Sequence, residues 1–361
     1  MLKMLVKNVA NNSKLLNSRF SNTELGFVVF GLTLISFIAT TANICVFIAY
    51  IKNQSLRTAS NWLILSLAVA DTWISAISIN FYTVYLVYGY WPLGKIACKF
   101  WLSTDYWCSQ ASVAHLIVIS VDRYFLIRVP LIYRPVRNLR LKYVIFFVWF
   151  LSFVLWVPWI ISYQYIVSKQ DVPVDKCYIQ FLTDSVFLTI FTSLSAYYVP
   201  LLTMFYMYIR MYTFLQKRKR TVDRVKAPNY FSDLTVTSVS CDSVTQSNTC
   251  LEVDSTANNK VLSQACQTLP KIKYKNYDRI KKLLILIILA YAITWLPFNA
   301  FSVISTFCNT CVTAPLWNFG FLFCYINSLV NPFCYALGNK RFKAAFKSMF
   351  IFKEINKNPN K

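Results

Sequence analysis

Seven runs of apolar residues, each long enough to cross the roughly 30 Å of hydrocarbon in a bilayer, leave this chain almost no soluble fold to adopt. They lie at about 25–51, 62–87, 96–129, 143–166, 186–212, 283–307 and 314–337. Across 361 residues, 57% are hydrophobic and 17% aromatic, more than a soluble core of this size needs. Backbone groups that face lipid must be satisfied within their own segment, so the runs predict helices. The expected fold is an all-α membrane protein: a seven-transmembrane helix bundle with a short amphipathic helix after the seventh span.

Charge sets the orientation. The formal net charge is +23, and the basic residues fall in alternate connections. Lys52 and Arg57 follow the first run; Arg128, Arg134, Arg137, Arg140 and Lys142 follow the third; 217–226 and 271–282 precede the sixth; 340–347 follow the seventh. The connections after the second, fourth and sixth runs carry few. Positive charge stays inside, which predicts a multi-pass plasma-membrane protein with its amino terminus outside and its carboxyl terminus in the cytoplasm. The excess charge is then read as facing lipid headgroups and solvent, not nucleic acid.

This divides the chain into an outer tail (1–24), five spans with their loops (25–215), a cytoplasmic loop (216–276), two further spans (277–338), and an amphipathic helix with a tail (339–361). The 216–276 segment is rich in Ser, Thr, Asp, Asn and Lys with little periodicity, so it is expected to be disordered. Its hydroxyls are phosphorylation candidates or parts of a plain tether. Lys3, Lys7 and several Asn residues interrupt 1–16, so no cleavable signal is expected and the first span serves as its own insertion signal. Asn11-Asn12-Ser13 offers a glycosylation acceptor at Asn11 on the outer tail; Asn53-Gln54-Ser55 has the same pattern but falls inside.

The chain has 11 cysteines. Cys98 and Cys177 lie at outer positions and can bridge the third span to the second outer loop, and Cys308 and Cys311 form a short outer pair; the oxidising exterior makes both disulfide candidates. Zinc would want a second cysteine pair or a histidine beside Cys308 and Cys311, and neither accompanies them. The single histidine, His115, lies in mid-span and reads as an interior residue.

Asp105 is the most expensive residue in the chain. It lies inside an apolar run, seven residues after Cys98, roughly 10 Å along a helix from that end. An ionisable group within a span is a functional-site hypothesis by default, and its natural partner is a cation arriving from outside. Small polar residues recur near mid-span in separate helices: Asn43, Asp71, Ser112, Asn327, Ser328 and Asn331. Alone, each is interhelical glue. Together around Asp71 they form an oxygen-rich set for an allosteric sodium ion, with Asp71, Ser112, Asn327 and Asn331 as the chosen ligands; no other cofactor is expected.

Near the cytoplasmic end, Arg123 can pair with neighbouring Asp122 in one state and be released in another. Pro200, Pro297 and Pro332 put kinks into three spans, and Tyr335 follows Pro332. Helices so built can move their inner halves.

With Asn43, Asp71, Cys98 with Cys177, Asp122-Arg123-Tyr124, Trp149, Pro200, Trp295 with Pro297, and Asn331-Pro332 with Tyr335, the chain resembles the rhodopsin-like (class A) G-protein-coupled receptors over every span. The resemblance implies that agonist binding opens an inner cleft for a heterotrimeric G protein as Arg123, Tyr208 and Tyr335 rearrange. It brings in arrestin and receptor kinases as further partners beside membrane lipids.

Helical spacing then gathers the pocket. Asp105 and Ser109 share a face with Ser112; so do Thr189, Thr192 and Ala196; Trp295, Phe298 and Asn299; and Trp317, Phe321, Cys324 and Tyr325. Aromatic faces suit an onium group, each contributing about 0.5 to 2 kcal/mol when desolvated. A catechol would want serine donors on the fifth span, where Thr192 and Ala196 stand.

A closer resemblance is to the muscarinic acetylcholine receptors. It is carried by Asp105-Tyr106, Ala111-Ser112-Val113, Cys177-Tyr178-Ile179-Gln180-Phe181-Leu182, Ile293-Thr294-Trp295 with Asn299, Thr306-Phe307-Cys308 with Cys311, and Cys324-Tyr325-Ile326-Asn327-Ser328. That family implies Asp105 as the anchor of a choline head, Asn299 as the partner of its ester, and Tyr106, Trp156, Trp295 and Tyr325 as cage walls.

Two tyrosines usual in that family are replaced by Phe298 and Phe321, and Gln110 stands where it has asparagine. The rings survive and the hydroxyls do not, which describes a divergent, invertebrate-like receptor with a weakened response to standard antagonists. Its coupling, Gi/o or Gq, stays open. The rival ligands are other amines such as histamine or octopamine. A transporter would show repeated halves, and an enzyme would show a nucleophile and base or a metal cluster.

Overall fold

The computed structural model describes residues 22–167, 172–225, 259–308, 310–338 and 340–350; the Asn11 acceptor lies outside them. Among the described residues all regular structure is helical. Seven helices are long and apolar enough to cross a bilayer: Leu25–Lys52, Asn61–Tyr88, Gly94–Arg128, Pro130–Ile166, Val186–Arg220, Lys281–Phe307 and Pro315–Gly338, here spans one to seven. A further helix, Lys340–Phe350, follows the seventh.

Span three runs through the middle of the bundle and packs against spans two, four, five and six. Its buried face holds three carboxylate or imidazole groups, Asp105, His115 and Asp122, while the exterior is apolar. Phe27, Phe30 and Phe37 of span one and Phe146, Phe147 and Phe150 of span four are exposed large rings. That distribution suits a hydrocarbon solvent, which leaves polar groups only the bundle interior.

Two disulfides mark one end of the bundle. Cys98 at the start of span three joins Cys177 with Cα atoms 5.6 Å apart, and Cys308 joins Cys311 at 5.4 Å. The Trp91 amide also donates to the Asp175 carbonyl at 2.7 Å, tying the connection before span three to the one after span four. The opposite end is basic. There Arg341 donates to the Ser55 carbonyl at 2.7 Å, and Phe342 and Ala345 turn inward while Lys343 and Lys347 stay exposed.

Two features depart from the sequence reading. The helix of span four begins at Pro130, well before the apolar run at 143, because the charges that end the membrane crossing do not end the helix. Proline is tolerated in a first turn, where its missing N–H has no partner to lose. The 216–276 segment, expected to be disordered, is entered by helix from both sides, through Val199–Val225 and Asn259–Phe307. Lys, Arg and Gln at 216–220 are good helix formers, so polarity alone did not predict the backbone there.

Spans two and five each contain one turn of π helix, Ile74–Ser78 and Leu194–Tyr198. Such turns leave carbonyls to be capped from elsewhere. Ser36 of span one donates to the Ser75 carbonyl at 2.7 Å, and Thr40 donates to the Ser75 hydroxyl at 3.0 Å.

Spans six and seven meet closely at Gly320, where a Cβ would lie 3.2 Å from the Phe298 Cα and 3.3 Å from its nitrogen. Backbone cannot move aside as a side chain can. Gly320→Val is therefore expected to cost about 1 to 3 kcal/mol by overpacking. A thermal-shift measurement on purified protein should read a melting temperature lower by several degrees; an unchanged value would mean that the two spans separate freely here.

Candidate functional site

Asp105 projects from span three just below the disulfide that fixes that helix to the connection after span four. Its residue is 7% exposed, and its Oδ1 is buried with no hydrogen-bond partner among the described residues. No ion pair holds it there either. The hydroxyls of Ser78, from the π turn of span two, and Tyr325, from span seven, lie beside the carboxylate. Both are themselves buried without a hydrogen bond of ordinary geometry. A carboxylate placed this way has its attraction for a cation unspent.

Two ring clusters reach the position through Tyr106 and Tyr325. On one side Tyr106 packs on Trp156 with centroids 4.7 Å apart, and Trp156 on Phe181 at 6.4 Å. On the other, Phe298 of span six meets Phe321 at 4.9 Å and Trp317 at 6.0 Å. Tyr82 of span two joins Phe321 at 5.4 Å and Tyr325 at 5.7 Å, and its hydroxyl donates to Asn318 Oδ1 at 2.9 Å. Cys324 and Tyr106 are electrostatic neighbours of Asp105. Trp295 lies deeper, 5.8 Å from Tyr291, its Nε1 buried without a partner.

The polar lining is sparse. Asn299 is 2% exposed and donates one amide hydrogen to the Trp295 carbonyl at 2.9 Å, which leaves its second N–H and its oxygen for another partner. Thr189 donates to the Leu182 carbonyl at 2.6 Å and Thr192 to the Leu188 carbonyl at 2.8 Å. Both of these hydroxyls thus donate to backbone, Thr189 securing the connection after span four, and Ser193 is a further buried hydroxyl on the same span. Ala196 is buried on the same span, and Ser109 is half-buried one turn below Asp105.

Sequence reasoning missed Ser78, Tyr82, Phe181 and Asn318. Ser75, Ser78 and Tyr82 are the polar points of a long apolar run, spaced at three and four, and that pattern was available. What was not available was the π turn, which changes the direction in which Ser78 points.

Toward the middle of the bundle, Asp71 gathers three donors. Its Oδ1 accepts from Ser112 and Ser328, each at 3.0 Å, and its Oδ2 accepts from Asn331 at 2.7 Å. Asn43 donates to the Ser328 carbonyl at 3.0 Å. Asn327, placed in the same set from sequence, is buried with its Oδ1 unpartnered, so it stands beside the cluster without a bond to Asp71.

At the basic end, Asp122 is 1% exposed and held by Arg137: Nε to Oδ1 at 2.6 Å and Nη2 to Oδ2 at 2.5 Å, with the Tyr133 hydroxyl donating to Oδ1 at 3.0 Å. Sequence reasoning assigned Asp122 to Arg123 and read Arg137 as one of the surface charges. Arg137 is instead 8% exposed, because the early start of span four's helix carries it back against span three. Arg123 is half-buried within electrostatic reach of both. Tyr208 packs on the inner core, Tyr335 is 1% exposed, and Pro297 and Pro332 lie inside the helices of spans six and seven.

A central carboxylate among rings near one end and a charged helix junction at the other, on seven crossing helices, define a membrane receptor. The family profile "7 transmembrane receptor (rhodopsin family)" matches residues 42–335, and the chain belongs to that family of signalling receptors, which are not enzymes. Within it, the chain is 30% identical to muscarinic acetylcholine receptor M1 of Homo sapiens, covering 91% of this chain and 89% of that one. It is 29% identical to receptor M4 of Gallus gallus (92% and 91% covered) and 28% identical to receptor M2 of the same bird (96% and 97%).

Removing one member of the Asp122–Arg137 pair leaves the other charge buried. Arg137→Ala is expected to cost about 3 to 5 kcal/mol, most of it recovered by adding Asp122→Asn. Heat inactivation of solubilised receptor would check this; a double variant no more stable than the single one would mean that the pair is not the source of the loss.

Proposed function

We propose that this receptor binds acetylcholine at Asp105 and passes the signal to a heterotrimeric G protein at the opposite end. The observation that carries the reading is a buried carboxylate with no ion pair among the described residues, with Tyr106 and Tyr325 beside it and Trp156, Phe298 and Phe321 in the ring clusters that continue from them. A quaternary ammonium can offer charge and methyl groups but no N–H. Aromatic faces accept such a group without needing a donor. The spare amide functions of Asn299 suit an ester, and the Thr189 and Thr192 hydroxyls, whose hydrogens go to backbone, remain only as acceptors. The muscarinic relatives support the same ligand.

The amino terminus is outside and the carboxyl terminus inside. Two independent arguments agree on this: the disulfide-bearing end belongs in an oxidising compartment, and the end rich in Lys and Arg belongs in the cytoplasm. Agonist binding then opens the inner cleft as Arg123, Tyr208 and Tyr335 rearrange and spans six and seven bend at Pro297 and Pro332. Arrestin and receptor kinases use the same inner face, and the Lys343 and Lys347 side of the last helix meets anionic lipid.

The cluster around Asp71 fits a sodium ion. Its groups include a carboxylate and two hydroxyl oxygens, with two buried amide oxygens, of Asn43 and Asn327, lacking partners nearby, which is the hard oxygen set such a cation prefers. When bound, the ion would supply the positive charge that balances the Asp71 carboxylate. Ser112, Ser328 and Asn331 then hold the carboxylate in place across spans three and seven.

Acetylcholine is expected to stimulate nucleotide exchange on a co-expressed Gi/o or Gq protein, with Asp105→Asn raising the half-maximal concentration at least about 100-fold. A panel containing histamine and octopamine decides the ligand, since a response to one of these without acetylcholine would replace it. Raising sodium at constant ionic strength should lower agonist affinity several-fold, and Asp71→Asn should abolish the dependence. Equal sensitivity to sodium and to N-methylglucamine would remove the ion from the site.

A further inference from the structure

Spans five and six are joined by tyrosine hydrogen bonds that run in both directions, with a longer contact at 3.5 Å from the Tyr291 hydroxyl to the Tyr197 carbonyl beside the two main ones. Tyr291 of span six donates to the Ala196 carbonyl of span five at 2.6 Å, and Tyr197 of span five donates to the Ala292 carbonyl of span six at 3.0 Å. The two rings pack on one another with centroids 5.7 Å apart. Both residues are almost wholly buried.

One of the two acceptors follows from a proline. Pro200 has no N–H to give to the carbonyl four residues before it, which is that of Ala196, and the turn between is wound as π helix. Pro297 strips the Ile293 carbonyl, one residue past Ala292, so Tyr197 reaches a carbonyl beside the freed one. A tyrosine of each span thus bonds to a carbonyl of the other close to its proline. A phenylalanine ring would fill the same space and remove the bond across the spans, leaving the Ala196 carbonyl without its tyrosine donor in the case of Tyr291.

We propose that Tyr197 and Tyr291 form a clasp that holds spans five and six closed and sets the threshold for ligand-driven opening. Its position fits that task. Ala196 belongs to the face that lines the ligand site, and Trp295 packs on the Tyr291 ring. Toward the basic end of span six, Leu284, Ile287 and Ile288 are buried in the same core as Met204, Met211 and Leu215 of span five. Swinging that half of span six displaces Tyr291 from Ala196, and a displacement of about 1 Å takes a 2.6 Å hydrogen bond beyond useful length. Opening must therefore break the clasp. This inference rests on the reading that agonist opens the basic end for a G protein.

Full-length receptor in membranes, with Tyr291→Phe, Tyr197→Phe and both together, tests it through G-protein nucleotide exchange without agonist. Each single variant is expected to raise basal exchange about three- to tenfold, the yield of one lost hydrogen bond, and to lower the half-maximal agonist concentration in step. Tyr198→Phe, whose ring only packs beside Tyr197, should leave basal exchange as it is. Basal exchange unchanged in both single variants, or a lower melting temperature with no rise, overturns the clasp. If Tyr291→Phe does not reach the membrane, Tyr197→Phe carries the same test from the other span. Raised basal exchange without any acetylcholine response keeps the clasp and removes the ligand reading; a normal acetylcholine response with unchanged basal exchange does the reverse.

Discussion

Hydrocarbon offers no water to a stray backbone group, and most of the architecture follows from that single constraint. Straight helix satisfies it without help. Where Pro200 and Pro332 take a donor away, a side chain from another span meets the carbonyl left behind, Tyr291 for Ala196 and Asn43 for Ser328, and Ser36 likewise meets the Ser75 carbonyl in the π turn of span two. The irregular turns are thus also the places where spans are stitched together. Interhelical bonds of this kind are individually modest, on the order of 0.6 to 2 kcal/mol, so they fix relative position while still permitting rearrangement.

The same constraint separates the buried carboxylates. Asp71 is surrounded by Ser112, Ser328 and Asn331, and Asp122 is gripped by Arg137 and Tyr133. Asp105 has neither arrangement. Two of the three acids are thereby built into the bundle, and the third is the one assigned above to the proposed ligand. Phe298 and Phe321 sharpen this, since their rings bring no hydroxyl to the cluster that continues from Tyr325 through Tyr82.

How much of this was legible in the sequence depended on the physics behind each signal. The seven spans were, because apolar length against bilayer thickness is nearly a one-dimensional question. Asp105 and the Asp71 cluster were, because polar residues in apolar runs stand out whatever the local geometry. Arg137 was not: the charge rule places a basic residue on the cytoplasmic side and is silent on whether it turns toward lipid, solvent or a buried acid. Ser78 escaped for a different reason, since an even helical register cannot anticipate a π turn. Thr189 sat where spacing put it but spends its hydroxyl on Leu182, a choice made by the connection after span four rather than by the helix.

The ring layer formed by Phe298, Trp317 and Phe321, with Tyr82 tethered to Asn318 alongside, has a consequence for time rather than for affinity. Contacts between bare rings are short-ranged, individually weak and lost a few at a time, so a cover made of them parts with little resistance compared with one cross-linked by hydroxyls. The ligand proposed for Asp105 would then keep its equilibrium grip through the charge below, yet exchange quickly with the solution above. Rapid exchange lets occupancy follow brief pulses of ligand instead of averaging them.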